Sequence, residues 1–365
     1  MSSPTANKGI TAIRRKLGED WNQTFASTRA NGNKVFVFQR STCWKDIAIV
    51  RNDIMLTGAR SIAIPEFGAM ICHSIEEDPA LRSLQKIIPR YHSVNVLRYR
   101  PGKRATLAGF EKSGQAVIIK CLARGALPTF RQLQAVYRQR SSLSFRVSRP
   151  LALYVDDQVL IQTRLAGEPL RWSHKTENAR QASRMAEAII SMHKSPVMIE
   201  HKFDVSDQQM RSARCAALIL ERLPSESALV NSLMNQLQRI QQSIARENHP
   251  LVPIHGSLHS HQWLIHGDTL ALVDFDRAAM GHPELDFATF LTEWDYEDDD
   301  VGMPIKQAFM QAVTHADDMV LAYYRSHKHL AKAYKASKII DPEKALVKCR
   351  RNLSRARALI LDWAG

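Results

Sequence analysis

The polar segment from Ile254 to Ala288 constrains the fold of this chain more than any other stretch. It contains H-G-S-x-x-x-x-Q from His255 to Gln262, then V-D-F-D ending at Asp276, and finally L-D-F-A around Asp286. An acidic residue at the end of an apolar strand frequently binds a metal ion or acts as an acid or base. The segment therefore predicts a functional site built from a loop, a short hairpin and a helix start.

The order of predicted elements divides the chain into a β-rich part and a helix-rich part. A Pro-Gly turn at 101–102 separates two apolar runs and predicts a hairpin. The predicted strands are 34–38, 47–50, 94–99, 105–110, 116–120, 151–155, 159–162, 263–265 and 270–273, and the predicted helices include 130–139, 177–193 and several within 208–246 and after 286. We expect an accessory segment at 1–75, a β-rich lobe at 76–165, a linker at 163–170 and a helical lobe at 166–365.

Length and composition exclude several classes of protein. The chain has 365 residues, 45% hydrophobic and 24% charged, which are ordinary values for a globular protein with two domains or lobes. No run of 18 apolar residues predicts a membrane span, and no apolar leader predicts secretion. The 5 cysteines lie far apart without a C-x-x-C pair, which favours a reduced, cytoplasmic protein.

Charge is distributed unevenly over the chain, whose net charge is +14. From Arg98 to Arg149 there are 12 basic residues and 1 acid, and from Arg325 to Gly365 there are 11 basic residues and 3 acids. These basic stretches predict either a solvated surface or a site for an anionic partner. From Glu293 to Asp300, 6 of 8 residues are acidic, which indicates either a solvated loop or a cationic or polyhydroxy amine substrate.

The motifs of residues 254–288 resemble the catalytic region of the aminoglycoside phosphotransferase and choline kinase family. That family has H-G-D-x-x-x-x-N, then I-D-x-D, then L-D-x-A, and the order and spacing are the same here. The resemblance implies a protein-kinase-like α+β fold with a small β-rich N-lobe and a larger helical C-lobe. It also implies transfer of a phosphoryl group from Mg-ATP to a hydroxyl of a small molecule.

The same resemblance implies roles for individual residues. Asp274 and Gln262 are the expected magnesium ligands, Gln262 through its amide oxygen. Lys120 is expected to bind the α- and β-phosphates, Gln162 lies where the hinge begins beside the nucleotide, and Asp286 is expected to hold the backbone of the catalytic loop.

Two departures from the family pattern leave the activity open. Ser257 stands at the position of the catalytic aspartate, and losing a general base costs ~10²–10⁴-fold in rate. His255 and Asp276 are the further catalytic candidates. No acidic residue lies between Lys120 and Asp156 to pair with the lysine. The sequence thus supports either an active kinase or a catalytically impaired pseudokinase that binds nucleotide or a partner.

Two other functions have weaker support. His255, His259, His261 and His266 with Asp268 resemble a zinc-ligand set, although the D-H pair that usually follows H-x-H is missing. Ser257 lacks the G-x-S-x-G setting of a nucleophilic serine.

Overall fold

Only some of the strands of the first sheet are predicted from the sequence. The computed structural model describes residues 4–28, 33–54, 59–170, 172, 175–247 and 249–363. Helix α1 (Pro4–Leu17) precedes an antiparallel sheet of strand order β1-β2-β3-β5-β4, with β1 (Asn22–Thr28), β2 (Lys34–Gln39), β3 (Ile47–Arg51), β4 (Arg60–Ile64) and β5 (Gly68–Ser74). Strands β2 and β3 coincide with the predicted ones, whereas β1, β4 and β5 are additional.

A second antiparallel sheet follows, with strand order β6-β7-β8-β10-β9. Its elements are α2 (Ser83–Ile87), β6 (His92–Arg100), β7 (Arg104–Phe110), β8 (Ala116–Leu122), α3 (Ala126–Arg138), β9 (Pro150–Tyr154) and β10 (Val159–Thr163). Each predicted strand between 94 and 162 is present, and the predicted helix 130–139 begins four residues earlier, at Ala126.

The two sheets share one hydrophobic core. Val35, Val37, Ile47 and Ile49 of the first sheet lie in the same cluster as residues of β6, β7, β8 and β10, such as Leu107. The opposite face of the first sheet packs against Ile13 of α1, with Ile340 of the C-terminal part at its edge. Described residues of the 1–75 segment thus share a core with the following sheet, and the assignment of 1–75 as a separate accessory segment stays a prediction.

Helices form most of the second lobe. They are α4 (Lys175–His193), α5 (Val205–Arg222), α6 (Ser227–Glu247), α7 (Glu284–Trp294), α8 (Asp299–Ala312), α9 (Asp318–Ala336) and α10 (Pro342–Ala358). In α4, Ala182, Met185, Ala186 and Ile189 recur at helical spacing and are all fully buried. The architecture is therefore α+β with two lobes, as expected.

Short strands complete the second lobe. They are β11 (Glu168–Pro169), β12 (Lys202–Phe203), β13 (Val252–Ile254), β14 (Trp263–His266), β15 (Thr269–Leu272) and β16 (Ala279–Gly281). Strand β11 lies within the predicted linker and pairs with β14, which fastens the linker to the predicted hairpin β14–β15. Within the described residues, no helix combines the length and the apolar character needed to cross a bilayer.

Candidate active site

The second sheet directs two cationic side chains toward the helical lobe. Lys120 of β8 lies opposite Thr106 of β7, and Arg104 is two residues from Thr106, so Arg104 and Lys120 share one face. The other face carries Leu107 and Ile119, which are buried in the core between the sheets. Gln162 of β10 lies opposite Ile118, two residues from Lys120, and is therefore on the same face as Lys120.

These cations bind the two aspartates that follow β15. Lys120 Nζ lies 2.9 Å from Asp274 Oδ1 and also donates to Asp276. Arg104 Nη1 lies 2.9 Å from Asp276 Oδ2, and Arg104 Nη2 lies 3.9 Å from Asp274 Oδ2. The acid that the sequence lacks after Lys120 is thus replaced by a pair of aspartates more than 150 residues away in the chain.

The electrostatics of this cluster favour the charged forms of Lys120 and Asp274, whereas burial, despite Lys120, raises the pKa of Asp276 above its ordinary value. Burial opposes ionisation of Asp274, but the Lys120 ammonium and Arg104 outweigh it and hold the pKa of Asp274 far below its ordinary value. Burial likewise lowers the pKa of Lys120, but Asp276 and Asp274 outweigh this effect and raise it. Lys120 and Arg104 thus offset the negative charge of the aspartate pair where the lobes meet.

The backbone at the aspartates has a special conformation. Asp274 adopts φ 72°, in the left-handed region that aspartate tolerates better than most residues. The next residue, Phe275, is buried, with its ring 4.9 Å from that of His255 and 6.5 Å from that of Phe145. Buried Phe275 thus anchors the segment while the carboxylates on either side reach the opposite lobe.

Helix α7 holds the loop that carries H-G-S. The buried carboxylate of Asp286 accepts the backbone N–H groups of His255 and Gly256, both at 2.8 Å. His193 Nε2, at the end of α4, lies 3.1 Å from Asp286 Oδ2. Two turns later, Glu293 accepts the N–H of Ser260 at 2.8 Å and its hydroxyl at 3.0 Å.

The remaining predicted residues lie along this loop. His255 is fully buried, its Nε2 lies 3.1 Å from the carbonyl oxygen of Val273, and burial lowers its pKa, so the ring is neutral. Ser257 is partly exposed. Gln262 Oε1 accepts the N–H of His259 at 2.7 Å, and Gln262 Nε2 faces Asp274 Oδ2 at 3.5 Å. The amide nitrogen of Gln262, rather than its oxygen, therefore faces the aspartates.

Sequence reasoning misses Arg104, His193 and Glu293. Arg104 ends the predicted Pro-Gly turn, but nothing local in the sequence indicates that it reaches Asp276. Glu293 belongs to the acidic run of the sequence, yet it is bonded to the loop, and Asp295 in the same run pairs with Arg325 at 3.0 Å. The charged residues of the run thus do not form one uniform solvent-exposed patch.

The proposed zinc set is brought together only in part. His259, His261 and Glu293 each offer a ligand atom within 4.8 Å of the others. His255 is turned toward Val273 instead, so the structure does not assemble the four histidines around one point.

A cavity of about 640 Å³ lies away from the aspartates, beside the linker. Its lining includes Arg140, Arg146, Arg149 and Arg164. It accounts for part of the basic stretch noted in the sequence, but it does not border the aspartate pair.

The comparison with protein families decides the classification. A family model described as the phosphotransferase enzyme family matches residues 110–330, more than half of the chain. The chain belongs to the phosphotransferase enzyme family. The match spans the lysine strand, the linker, the H-G-S loop and the aspartate pair. No curated protein shows significant sequence similarity to the chain.

Solved structures show the same fold at low sequence identity. A choline/ethanolamine kinase family protein from Mesorhizobium loti aligns with TM-score 0.54 and 13% identity, covering 78% of this chain and 94% of that one. An aminoglycoside phosphotransferase in complex with ADP and hygromycin B aligns with TM-score 0.56 and 15% identity, covering 78% and 99%. A choline kinase from Streptococcus pneumoniae gives 0.55 and 12%, covering 75% and 97%.

These neighbours establish the kinase-like fold of this phosphotransferase family member. The expectation of a two-lobed protein-kinase-like architecture is confirmed. The roles assigned to individual residues, from Lys120 to Asp286, stay predictions that the geometry now allows us to sharpen.

Proposed function

We propose that the protein binds Mg-ATP in the cleft between the lobes and transfers the γ-phosphoryl group to a hydroxyl of a small molecule. The observation that carries this proposal is the convergence of Lys120, Asp274 and Asp276 next to the loop held by Asp286. Phosphoryl transfer depends mainly on positioning and on neutralisation of charge, and this cluster supplies both. The solved relatives that bind ADP or GDP support a nucleotide as the ligand.

The donor set suits a divalent cation. Asp274 and Asp276 both bind one cationic centre, Lys120 Nζ, so their oxygens converge on a single point. Carboxylate oxygens are the ligands that magnesium prefers. Bound magnesium would supply charge neutralisation at the β- and γ-phosphates. Gln262 becomes a second ligand beside Asp274 only when the Gln262 amide rotates so that Oε1 faces Asp274. In the observed orientation, Gln262 Nε2 faces Asp274 and steadies its carboxylate instead.

The other residues act through position. Lys120 moves its ammonium from the carboxylates to the α- and β-phosphates when nucleotide enters, and Gln162 borders the nucleotide at the end of β10.

Asp286 fixes the backbone of His255 and Gly256, which sets where Ser257 presents its hydroxyl. Ser257 orients the acceptor hydroxyl, and Asp276 is the carboxylate that we assign to receive its proton. A loose transition state requires little early proton removal, so a serine here slows the reaction without forbidding it.

The test is thermal unfolding of the full chain with and without Mg-ATP, beside Asp274→Ala. A ligand bound only by the folded state stabilises it by about 2.7 kcal/mol at 100 times Kd. We expect a shift that requires magnesium and disappears in the variant. The absence of a shift at millimolar Mg-ATP in the wild-type protein would refute the proposal.

A second candidate function is nucleotide binding without turnover, and Ser257 is the observation that favours it. Measuring ADP release in the same samples separates the two. Binding with ADP release identifies a kinase, and binding without release under every acceptor tested identifies a pseudokinase. A Ser257→Asp variant that gains ADP release would attribute the loss to this residue.

A further inference from the structure

Five cationic side chains lie within electrostatic range of Arg277, and we call the six together the basic basin. They come from four parts of the chain, namely the end of β6, helix α5, the residue after Asp276, and helix α9. The members are Arg98, Arg100, Arg211, Arg277, Lys328 and Lys335. The first two belong to the sheet lobe and the rest to the helical lobe, so the basin spans the cleft.

The basin has no anionic counterpart within the described residues. None of its six members forms an ion pair there, while neighbouring Arg104 and Lys120 are both paired. The acids around the basin are otherwise engaged. Asp274 and Asp276 bind Lys120, Asp286 accepts two backbone N–H groups, and Asp207 accepts the N–H of Asp204, the N-cap residue of α5. Arg211 lies over the ring of Phe203 at 4.0 Å, a contact that leaves its charge uncompensated.

The basin borders the loop where transfer is proposed to occur. Gly256 lies so close to Arg277 that a Cβ on the glycine would be 2.1 Å from the Arg277 carbonyl oxygen. The side chain of Arg277 therefore begins directly beside Gly256, the residue that precedes Ser257. Lys328 lies within the electrostatic reach of Arg277, Arg211 and Asp286, which links α9 and α5 to the same loop.

Burial and like charge act together on members of the basin. Burial together with neighbouring cations, chiefly Arg277, lowers the pKa of Lys328 to about 7. Burial and then Arg98, Arg104 and Arg277 lower the pKa of Arg100 to about 10. Like charges held together without compensation are relieved when an anion binds among them.

We propose that the basic basin binds the phosphate group of an acceptor that is itself a phosphorylated, hydroxylated small molecule. The inference rests on the proposed function and names its substrate class. Guanidinium groups bind phosphate oxygens through paired hydrogen bonds, and a phosphate monoester matches several cations better than a single carboxylate does. The free charge of this cleft is thus opposite to that needed for a cationic amine, the alternative raised by residues 293–300.

The reaction is a simple transfer. The acceptor hydroxyl oxygen forms a bond to the γ-phosphorus, and the bond from that phosphorus to the β–γ bridging oxygen breaks. ADP leaves with the electron pair, and the hydroxyl proton passes to Asp276 or water. The basin holds the phosphate already present on the acceptor and takes no part in bond making.

The first experiment measures pyrophosphate binding by calorimetry without magnesium, for the free protein and again with saturating ADP. The variant is Arg211→Gln/Lys335→Gln, whose two positions are exposed, so that folding is preserved. The control is Lys344→Gln/Lys348→Gln on α10, which removes the same charge elsewhere. We expect binding in both conditions, weakened at least tenfold in the variant and unchanged in the control.

Three results would overturn the inference. ADP that abolishes all pyrophosphate binding would make the basin part of the nucleotide site. An equal loss in both double variants would reduce the effect to general surface charge. Undetectable binding to the wild-type protein at millimolar pyrophosphate would also refute it.

The second experiment identifies the acceptor class by displacement of pyrophosphate from the ADP-saturated protein. Glucose 6-phosphate, ribose 5-phosphate and glycerol 3-phosphate are expected to displace it, whereas glucose, ribose, glycerol and choline are not. Displacement by choline or by the unphosphorylated alcohols at equal concentration would contradict the inference. If Mg-ATP gives no thermal shift while pyrophosphate still binds the basin, only the proposed kinase function is refuted. If Mg-ATP gives the shift but pyrophosphate does not bind the basin, only the proposed phosphate site is refuted.

Discussion

Gly256 is the residue at which the packing of the site is tightest. It has φ 75°, and a Cβ there would meet the Arg277 carbonyl oxygen at 2.1 Å. Gly267, in the turn of the β14–β15 hairpin, has φ 58°, and a Cβ at this position would meet nothing within 4 Å. The two glycines share the left-handed backbone and differ only in the space around them.

This pair separates backbone strain from steric conflict. Gly267→Ala is expected to cost only the left-handed conformation, about 1–2 kcal/mol. Gly256→Ala must also displace the backbone of Arg277, and we expect it to lose at least about 2 kcal/mol more and to abolish the Mg-ATP shift. Urea unfolding of both variants provides the measurement. Equal losses of unfolding free energy in the two variants would show that the loop at Gly256 moves away from Arg277 at no further cost.

At the scale of single residues, the sequence predicts which residue types form the site better than it predicts which of them contact one another. The spacing of Asp274, Asp276 and Asp286 after the H-G-S loop predicts one functional region, and the roles of these residues stay predictions. The partner of Lys120 is unpredictable locally, because it depends on the face of β8 and on the approach of the two lobes. Arg104 escapes prediction for the same reason, since its contact with Asp276 spans 172 positions.

Helix α7 is the element that organises the site. Asp286 and Glu293 are seven residues apart, which is close to two helical turns, so both carboxylates lie on one face. One fixes the start of the loop at His255 and Gly256, and the other fixes Ser260. The helix thus holds the loop at two points on either side of Ser257.

A substitution in α7 tests this support and its pH dependence. Burial opposes ionisation of Glu293, but the rings of His259 and His261, 3.8 and 3.9 Å from its oxygens, and the hydrogen bond from the Ser260 N–H outweigh it and lower its pKa. Because the folded pKa lies below the unfolded value of about 4.3, this stabilisation is present above that pH and is lost as the pH falls.

We therefore expect Glu293→Gln to destabilise the protein by about 1–3 kcal/mol at pH 7 and by less below pH 4. Exposed Glu297→Gln serves as the control and should change stability by no more than about 0.5 kcal/mol. Unfolding curves at several pH values measure the difference. A loss of stability that becomes larger toward acid pH would contradict the expected pH dependence.

Elements with a clear apolar pattern are predicted well from the sequence, and the others are not. Strand β3 is entirely buried and is rich in β-branched residues. Strand β1 is mostly polar and has a single buried residue, so its sequence carries no apolar strand pattern. Several helices are predicted within 208–246 but no boundary between them, because the break between α5 and α6 at Leu223 and Pro224 is a short turn.

At the scale of the whole molecule, the first sheet determines whether the protein unfolds as one unit. Ile49 is fully buried in the core that the two sheets share. We expect Ile49→Ala to cost about 2–5 kcal/mol and to lower a single thermal transition. Leu97→Ala, at a position 55% exposed, is the control and should be nearly neutral.

Calorimetry with and without Mg-ATP distinguishes the alternatives. If residues 1–75 form an independent unit, Ile49→Ala should split the transition and leave the ligand-sensitive part unchanged. One cooperative transition that shifts as a whole would show that the accessory segment is part of the nucleotide-binding lobe in energetic terms.

The first sheet also reaches the helical lobe. Thr28 donates its N–H to the Lys338 carbonyl oxygen at 3.1 Å, and Arg222 donates to the Thr28 carbonyl oxygen at 3.1 Å. The lobes are therefore joined by this contact at the end of β1 as well as by the linker at residues 163–170 and by the salt bridges of Lys120 and Arg104 to the aspartates. In the proposed function Lys120 exchanges its carboxylate partners for phosphate oxygens, whereas the linker and the β1 contact involve no ligand. We therefore expect the contact at Thr28 to persist when nucleotide enters and to limit how far the two lobes separate.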